Sequence, residues 1–238
     1  MKLAIFDIDG TIFRSSLVIE LVRALVKAKI FSKAADQAIQ KEYVAWLNRK
    51  GSYSDYISKV VKIYIKHIAG KPADKIFSVA REVIKLQKDR TYRFTRDLIK
   101  QLKKQKYFLV AISGSPSYIV KEYAKTIGFN RFFGTEMEIQ NGKFTGKILS
   151  QTAAFHKAKI VKEFLKGKNS RSASLAIGDT EGDIAMLSLV EKPIAFNPNF
   201  HLAREAKKRG WTMVVERKDV IYKLSSPAYR TNGFQISK

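Results

Sequence analysis

The chain has 238 residues, enough for one domain of ordinary size or one domain carrying a substantial insertion. It contains no cysteine, which excludes a disulfide scaffold, a thiolate zinc site, an iron–sulfur cluster and a cysteine nucleophile, and its 45% hydrophobic and 28% charged content is that of a globular chain. The formal net charge is +24, from 45 basic and 21 acidic residues, and such an excess draws anions without specifying a fold.

Residues 3–6, LAIF, read as a buried strand that stops at Asp7, with Gly10 and Thr11 opening a turn. This apolar run is too short for a secretion signal or a membrane span, so a cytoplasmic location is expected. From Leu17 to about Leu86 the pattern is helical. Leu17, Leu21, Ala24, Leu25 and Ala28 recur at three and four, and Gly51-Ser52 and Gly70-Lys71-Pro72 punctuate the stretch. Two or more helices are expected here and no strand.

From Arg93 the rhythm changes. A helix, FTRDLIKQLKKQ, leads to the apolar run 107–112, then to the small-residue loop Ser113-Gly114-Ser115-Pro116 and a helix to Ile127. Residues 135–139 and 143–147 alternate about Asn141-Gly142, a hairpin signal. A helix is expected over 157–165, a buried strand over 174–178, and a helix from Glu181. A short strand at 193–196, a helix to Arg209 and a strand at 211–215 follow, and the composition of 225–238 suggests a loose end.

Alternating helices and buried strands argue an α/β fold, a Rossmann-like, mostly parallel sheet covered on both faces. The stretch 14–89 interrupts the alternation and reads as an inserted α-helical cap, leaving 1–13 and 90–238 as the core. The insertion carries 16 basic and 7 acidic residues, so the excess charge is shared by both parts. There is no basic tail and no run of five like charges, so solvated helix faces are the favoured reading of the charge. A nucleic-acid or anionic-membrane surface is the alternative. Nothing points to an obligate protein partner.

Acids are scarce, yet Asp7 and Asp9, and Asp179 and Asp183, stand as two tight pairs, each after a short apolar run. Ligands of open parallel sheets sit beyond the carboxyl ends of the strands, where all four fall. A carboxylate can attack phosphorus and form an acyl phosphate, and a second can shuttle the proton for both half-reactions. Ser113 and the Gly114 amide, at a strand end before a helix, can hold a phosphate. Lys157 shares the inward side of its helix with Ile160 and Val161, whereas Lys159 groups with Lys162, Glu163 and Lys166 on the polar side. It is therefore the lysine expected to stabilise a transferring phosphoryl group. The carboxylates of Asp179 and Asp183 suit a hard cation such as Mg²⁺. His67, His156 and His201 show no metal-ligand spacing.

Together DIDGT at 7–11, SGS at 113–115, Lys157 and GDTEGD at 178–183 resemble, in order, the four motifs of the haloacid dehalogenase-like hydrolase superfamily. The insertion after the first motif, the Asn-Gly hairpin and the AFNPN…RGW element are similar to the phosphoserine phosphatase-like branch. The resemblance implies a Mg²⁺-dependent phosphomonoesterase acting on a small phosphorylated metabolite. It makes Asp7 the nucleophile, Asp9 the general acid/base, and Ser113, Gly114 and Lys157 the phosphoryl-binding groups. It also implies a Mg²⁺ site from Asp7, the Asp9 carbonyl and Asp179, with Asp183 in support. Asp9 argues against dehalogenase chemistry, because the family's dehalogenases lack that aspartate. Ser16 stands where the phosphoserine phosphatases carry a glutamate for the substrate amine, which disfavours phosphoserine. Arg14, Arg23, Tyr53 and Lys59 are expected to choose the substrate. A phosphotransferase or mutase on the same intermediate is the rival enzymatic reading, and a basic binding protein the non-enzymatic one.

Overall fold

The structure, a computed structural model, describes residues 2–166, 172–224 and 235–237. A first strand, β1 (Leu3–Asp7), is followed by four helices: α1 (Leu17–Lys27), α2 (Lys33–Leu47), α3 (Tyr53–Ile68) and α4 (Ala73–Gln87). Then come α5 (Arg93–Lys104), β2 (Phe108–Pro116), α6 (Ser117–Ile127) and the hairpin of β3 (Arg131–Gln140) and β4 (Lys143–Ser150). Two helices, α7 (Thr152–Phe155) and α8 (Lys157–Leu165), precede β5 (Ser174–Gly178). A single 3₁₀ turn at Glu181–Asp183 leads to α9 (Ile184–Leu187), β6 (Lys192–Phe196), α10 (Phe200–Arg209), β7 (Thr212–Arg217), β8 (Val220–Leu224) and β9 (Gln235–Ser237).

One sheet holds all nine of these strands in the order β4-β3-β2-β1-β5-β6-β7-β8-β9. The stretch from β3 to β7 is parallel, and antiparallel pairs close both edges. This is the Rossmann-like α/β arrangement expected from the alternation. β1 lies inside the sheet, between β2 on one flank and β5 on the other. The ends of these three strands therefore form the crevice of the sheet.

Strand β1 is apolar up to Asp7 because both its faces are covered. Ala4 and Phe6 face a core that includes α1, α3, α4 and α6, while Leu3 and Ile5 face α8, α9 and α10. The periodicity of α1 is equally direct, with Leu17, Leu21 and Leu25 fully buried on one side. At the hairpin, Asn141 and Gly142 both take positive φ, 49° and 73°, the geometry that two-residue turns demand.

Four details differ from the sequence reading. Ser113–Pro116 is the end of a strand rather than a loop, because β3 lies alongside it and pairs Pro116 with Thr135 after an irregularity. The helix expected from Glu181 is reduced to the 3₁₀ turn and the short α9, because Asp183 folds back onto the amides of Asp179 and Thr180. Strand β8 was not expected, and it pairs with β7 from Met213↔Leu224 to Arg217↔Val220. The tail expected to be loose supplies β9, which pairs with β8, while 225–234 and 238 lie outside the described residues.

The chain enters and leaves the α1–α4 stretch side by side. Arg14 N donates to Arg90 O at 2.9 Å, and Tyr92 N donates to Ile12 O at 2.9 Å. Glu20 of α1 fastens the crossing, accepting from Ser15 Oγ (2.7 Å), Gln87 Nε2 (3.1 Å), Arg90 Nη1 (3.0 Å) and Arg23 Nη1 (3.3 Å). Burial pushes the Glu20 carboxyl up, but these hydrogen bonds and the two guanidinium charges outweigh it and hold it below the usual range. None of the described helices is long and apolar enough to cross a membrane.

Two stability measurements follow from this packing. Leu21→Ala is expected to cost about 2–5 kcal/mol in urea unfolding, the cost of a fully buried leucine. Glu20→Gln is expected to destabilise at neutral pH. Because the folded-state pKa is depressed, the wild-type advantage is full above the ordinary glutamate pKa and shrinks as pH falls through the folded value. Unfolding midpoints of the two proteins from pH 7 down to pH 3 check this, and a pH-independent difference would contradict it.

Candidate active site

Asp7 ends β1, paired with Ile112 of β2, and its side chain is buried. Lys157, the first residue of α8, reaches into the crevice. Its Nζ donates to Asp7 Oδ1 at 2.5 Å and to Asp183 Oδ1 at 2.7 Å. The other oxygen of Asp183 accepts from the amides of Asp179 and Thr180, both at 3.1 Å, so its carboxylate is fully engaged. Asp179 follows β5 and accepts from Thr11 Oγ1 at 3.1 Å. Four residues, from the ends of β1 and β5, the 3₁₀ turn after β5 and the start of α8, thus meet at one point.

Glycine makes two of these approaches possible. Gly10 has φ of 81°, and a Cβ placed there would lie 2.2 Å from Asp179 Oδ2. A Cβ on Gly178 would lie 2.3 Å from the Asp183 carboxyl carbon. The missing side chain at Gly10 lets the turn after β1 meet the turn after β5, and the one missing at Gly178 lets Asp183 fold back within the latter.

Asp9 points elsewhere. Its Oδ1 accepts from the Leu17 amide at 2.5 Å, and its Oδ2 accepts from Ser115 Oγ at 2.9 Å and from Ser113 Oγ. The Ser115 amide in turn donates to Ser113 Oγ at 2.9 Å. The acid is therefore held between β2 and the start of α1. Gly114 is exposed beside it, and its carbonyl accepts from Thr135 Oγ1 at 2.7 Å.

The electrostatics are those of crowded acids out of water. Burial, together with the Asp183 and Asp9 charges, outweighs Lys157 and pushes Asp7 up to about 7. Burial and the Asp7 and Asp183 charges likewise raise Asp179 well above the carboxylate range. Burial disfavours the charged form of Lys157, but Asp183 and Asp7 more than reverse that, so the lysine stays protonated.

Oxygens of Asp7, Asp179 and Asp183 lie within 4.8 Å of one another, and Asp7 Oδ2 is buried with no hydrogen-bond partner. Three carboxylates face one ammonium. An unpartnered buried oxygen in a net-negative, all-oxygen site fits a small hard dication such as Mg²⁺.

Above Asp179 opens a cavity of about 660 Å³ between α1–α3 and the core. Arg14, Arg23 and Tyr53 line it, as the sequence led us to expect. Lys59 does not. It turns away to pair with Glu42 at 2.6 Å, because its position on α3 faces α2. Ser16 lines the cavity as a buried residue. Sequence reasoning missed the latch across the cavity, where Glu181 accepts from Ser54 Oγ of α3 at 2.5 Å and from Asn199 Nδ2. It also missed Thr11 and Ser115, although both sit inside the quoted motifs.

The family model of the haloacid dehalogenase-like hydrolases matches residues 4–188. The chain belongs to that family. Among curated relatives it is 27% identical over 198 residues to the phosphoserine phosphatase of Archaeoglobus fulgidus, covering 82% of this chain and 52% of that protein. The chain thus spans about half the length of that relative. It is 23% identical to the histidinol-phosphatase of Neisseria meningitidis serogroup C, over 90% of this chain and 98% of that one. Among solved structures, a phospho-aspartyl intermediate analogue of phosphoserine phosphatase superposes with a TM-score of 0.64 at 20% identity, covering 92% and 94% of the two chains. A protein of unknown function from Bordetella pertussis Tohama I reaches 0.69 at 18% identity, covering 89% and 96%. These structures share the fold. Within the family, its likeness lies with the phosphoserine phosphatase-like branch.

The buried cluster has a stability signature. Lys157→Met leaves the carboxylates without their cation and is expected to cost about 3–5 kcal/mol at pH 8, as for one half of a buried ion pair. Urea unfolding in the presence of a chelator measures it, and a loss under about 1 kcal/mol would contradict the pairing.

Proposed function

We propose that this protein hydrolyses small phosphomonoesters through a phospho-aspartate on Asp7. The observation that carries the reading is the state of that side chain. It is buried at the end of β1, with one oxygen on Lys157 and the other unpartnered. An oxygen kept free of donors is available to attack phosphorus.

In the first half-reaction the Asp7 Oδ2–phosphorus bond forms and the bond to the leaving oxygen breaks, with Asp9 delivering the proton that oxygen needs. In the second, Asp9 takes a proton from water as the water oxygen bonds to phosphorus and the acyl phosphate opens, freeing Asp7. Asp9 is suited to both turns because Ser113, Ser115 and the Leu17 amide fix it two residues from the nucleophile. Lys157 supplies the fixed cation for charge developing on the phosphoryl oxygens, and Ser113 and the Gly114 amide complete its cradle. Asp7, the Asp9 carbonyl and Asp179 would hold Mg²⁺, with Asp183 fixing Lys157 and the turn beneath it. When bound, that ion lowers the repulsion between Asp7 and a dianionic phosphate and acts as a Lewis acid. In this reading 14–89 is a cap over a core of 1–13 and 90–238. Closing it over the substrate excludes water.

The test is phosphate release from a panel of phosphorylated metabolites that includes phosphoserine and histidinol phosphate, with Mg²⁺ and with chelator. Turnover is expected only with Mg²⁺, and Asp7→Asn is expected to abolish it. Asp9→Asn is expected to lose roughly 10²–10⁴-fold, the range of general acid–base catalysis. Full activity in Asp7→Asn would overturn the mechanism. Transfer to an added alcohol with little release to water would make the protein a phosphotransferase.

A further inference from the structure

The cavity above the acids has a chemistry of its own. One wall is aromatic. Trp46 and Tyr56 stack at 5.8 Å with an interplanar angle of 9°, and Tyr53 meets the Trp46 ring edge-on at 5.4 Å. Across the cavity, the guanidinium of Arg14 lies 5.4 Å from the centre of the Tyr92 ring. At about 660 Å³ the space matches pockets that hold drug-sized ligands, and an amino-acid phosphate would fill only part of it.

The charges are as one-sided as the rings. Four arginines line the cavity, and Asp179 is the only carboxylate doing so among the described residues. Glu20 takes up Arg23 and Arg90. Arg14 and Arg49 have no carboxylate partner among the described residues. The acids close by are all engaged, Asp9 by two serines and an amide, and Glu181 by Ser54 and Asn199. An ammonium on the leaving group finds one carboxylate in the lining, Asp179, which the Mg²⁺ site of the proposed mechanism already uses. An anion finds two guanidinium groups suited to forked pairing with a carboxylate or phosphate.

We infer that the substrate is a phosphomonoester whose leaving group carries a planar ring and a second acidic group, the ring against Trp46 and Tyr53 and the acid on Arg14 and Arg49. This rests on the phosphomonoesterase reading. It separates the protein from enzymes whose substrates carry an amine beside the phosphate.

The whole chain can be tested with three synthetic esters: phenyl phosphate, 4-carboxyphenyl phosphate and 4-(aminomethyl)phenyl phosphate. A second pair, adenosine 5′-monophosphate and adenosine 3′,5′-bisphosphate, asks whether the second acid is a carboxylate or a phosphate. At least one acid-bearing member is expected to exceed its partner by about tenfold in kcat/KM, the scale of one charged hydrogen bond, with the aminomethyl ester poorest. In the double variant Arg14→Gln/Arg49→Gln that preference is expected to fall by about tenfold, and Arg14→Lys/Arg49→Lys to restore part of it. Both arginines are exposed, and an unchanged unfolding midpoint confirms that the variants fold. Turnover that is abolished by Asp7→Asn but shows no preference, or a preference that survives the double variant, overturns this inference and leaves the hydrolase standing. Failure to turn over any of these esters by protein that releases phosphate from the metabolite panel overturns this inference alone, and failure on both overturns the hydrolase reading with it.

Discussion

A single ammonium group organises the centre of this protein. Lys157 lies between Asp7 and Asp183, and both contacts are out of water. Three parts of the chain depend on it: the end of β1, the start of α8 and the turn after β5. Remove the cation and three desolvated carboxylates face one another, an arrangement that a low-dielectric interior does not tolerate. The same arrangement leaves one oxygen of Asp7 without a donor. The ion pair that holds the site together and the oxygen it leaves without a donor come from the same geometry.

Around that centre the fold divides its acids by task. Asp183 spends both oxygens on structure, one on Lys157 and one on two amides. Asp9 is tied to β2 and to the first residue of α1, so the end of one sheet strand and the beginning of the α1–α4 stretch share a single carboxylate. Glu20 performs a similar office where the chain enters and leaves the α1–α4 stretch, gathering Arg23, Arg90, Gln87 and Ser15. In a chain with more than twice as many basic as acidic residues, few acids are left over, and Asp179 is the one carboxylate that lines the cavity among the described residues.

Much of this was legible in the chain itself. The four-residue apolar runs that stop at Asp7 and Asp179 are the mark of strands buried on both faces, and such strands in a parallel sheet deliver their last residues to one edge. Lys157 stood out among 45 basic residues because it shares the apolar side of its helix with Ile160 and Val161. Elsewhere local pattern misled. Ser113–Pro116 has the composition of a loop, yet β3 beside it extends the strand. The region after Asp179 has the composition of a helix, yet Asp183 turns its first residues into a 3₁₀ turn. Lys59 and Arg49 are both exposed basic residues of the α1–α4 stretch. The neighbouring Glu42 decides that the first is taken while the second is not.

The sequence by itself determined the layers of the fold, the family, and the acids and lysine that meet at the strand ends, because those follow from periodicity and from short motifs whose geometry is local. The tertiary structure alone decided which oxygen of Asp7 is left without a donor, which arginines lining the cavity lack an acid, and that the last described residues add a strand to the sheet. Those outcomes depend on groups separated by up to 168 positions, such as Thr11 and Asp179. No spacing along the chain encodes such a meeting. It is fixed only when packing brings the strand ends together and each polar group takes whichever partner lies within reach.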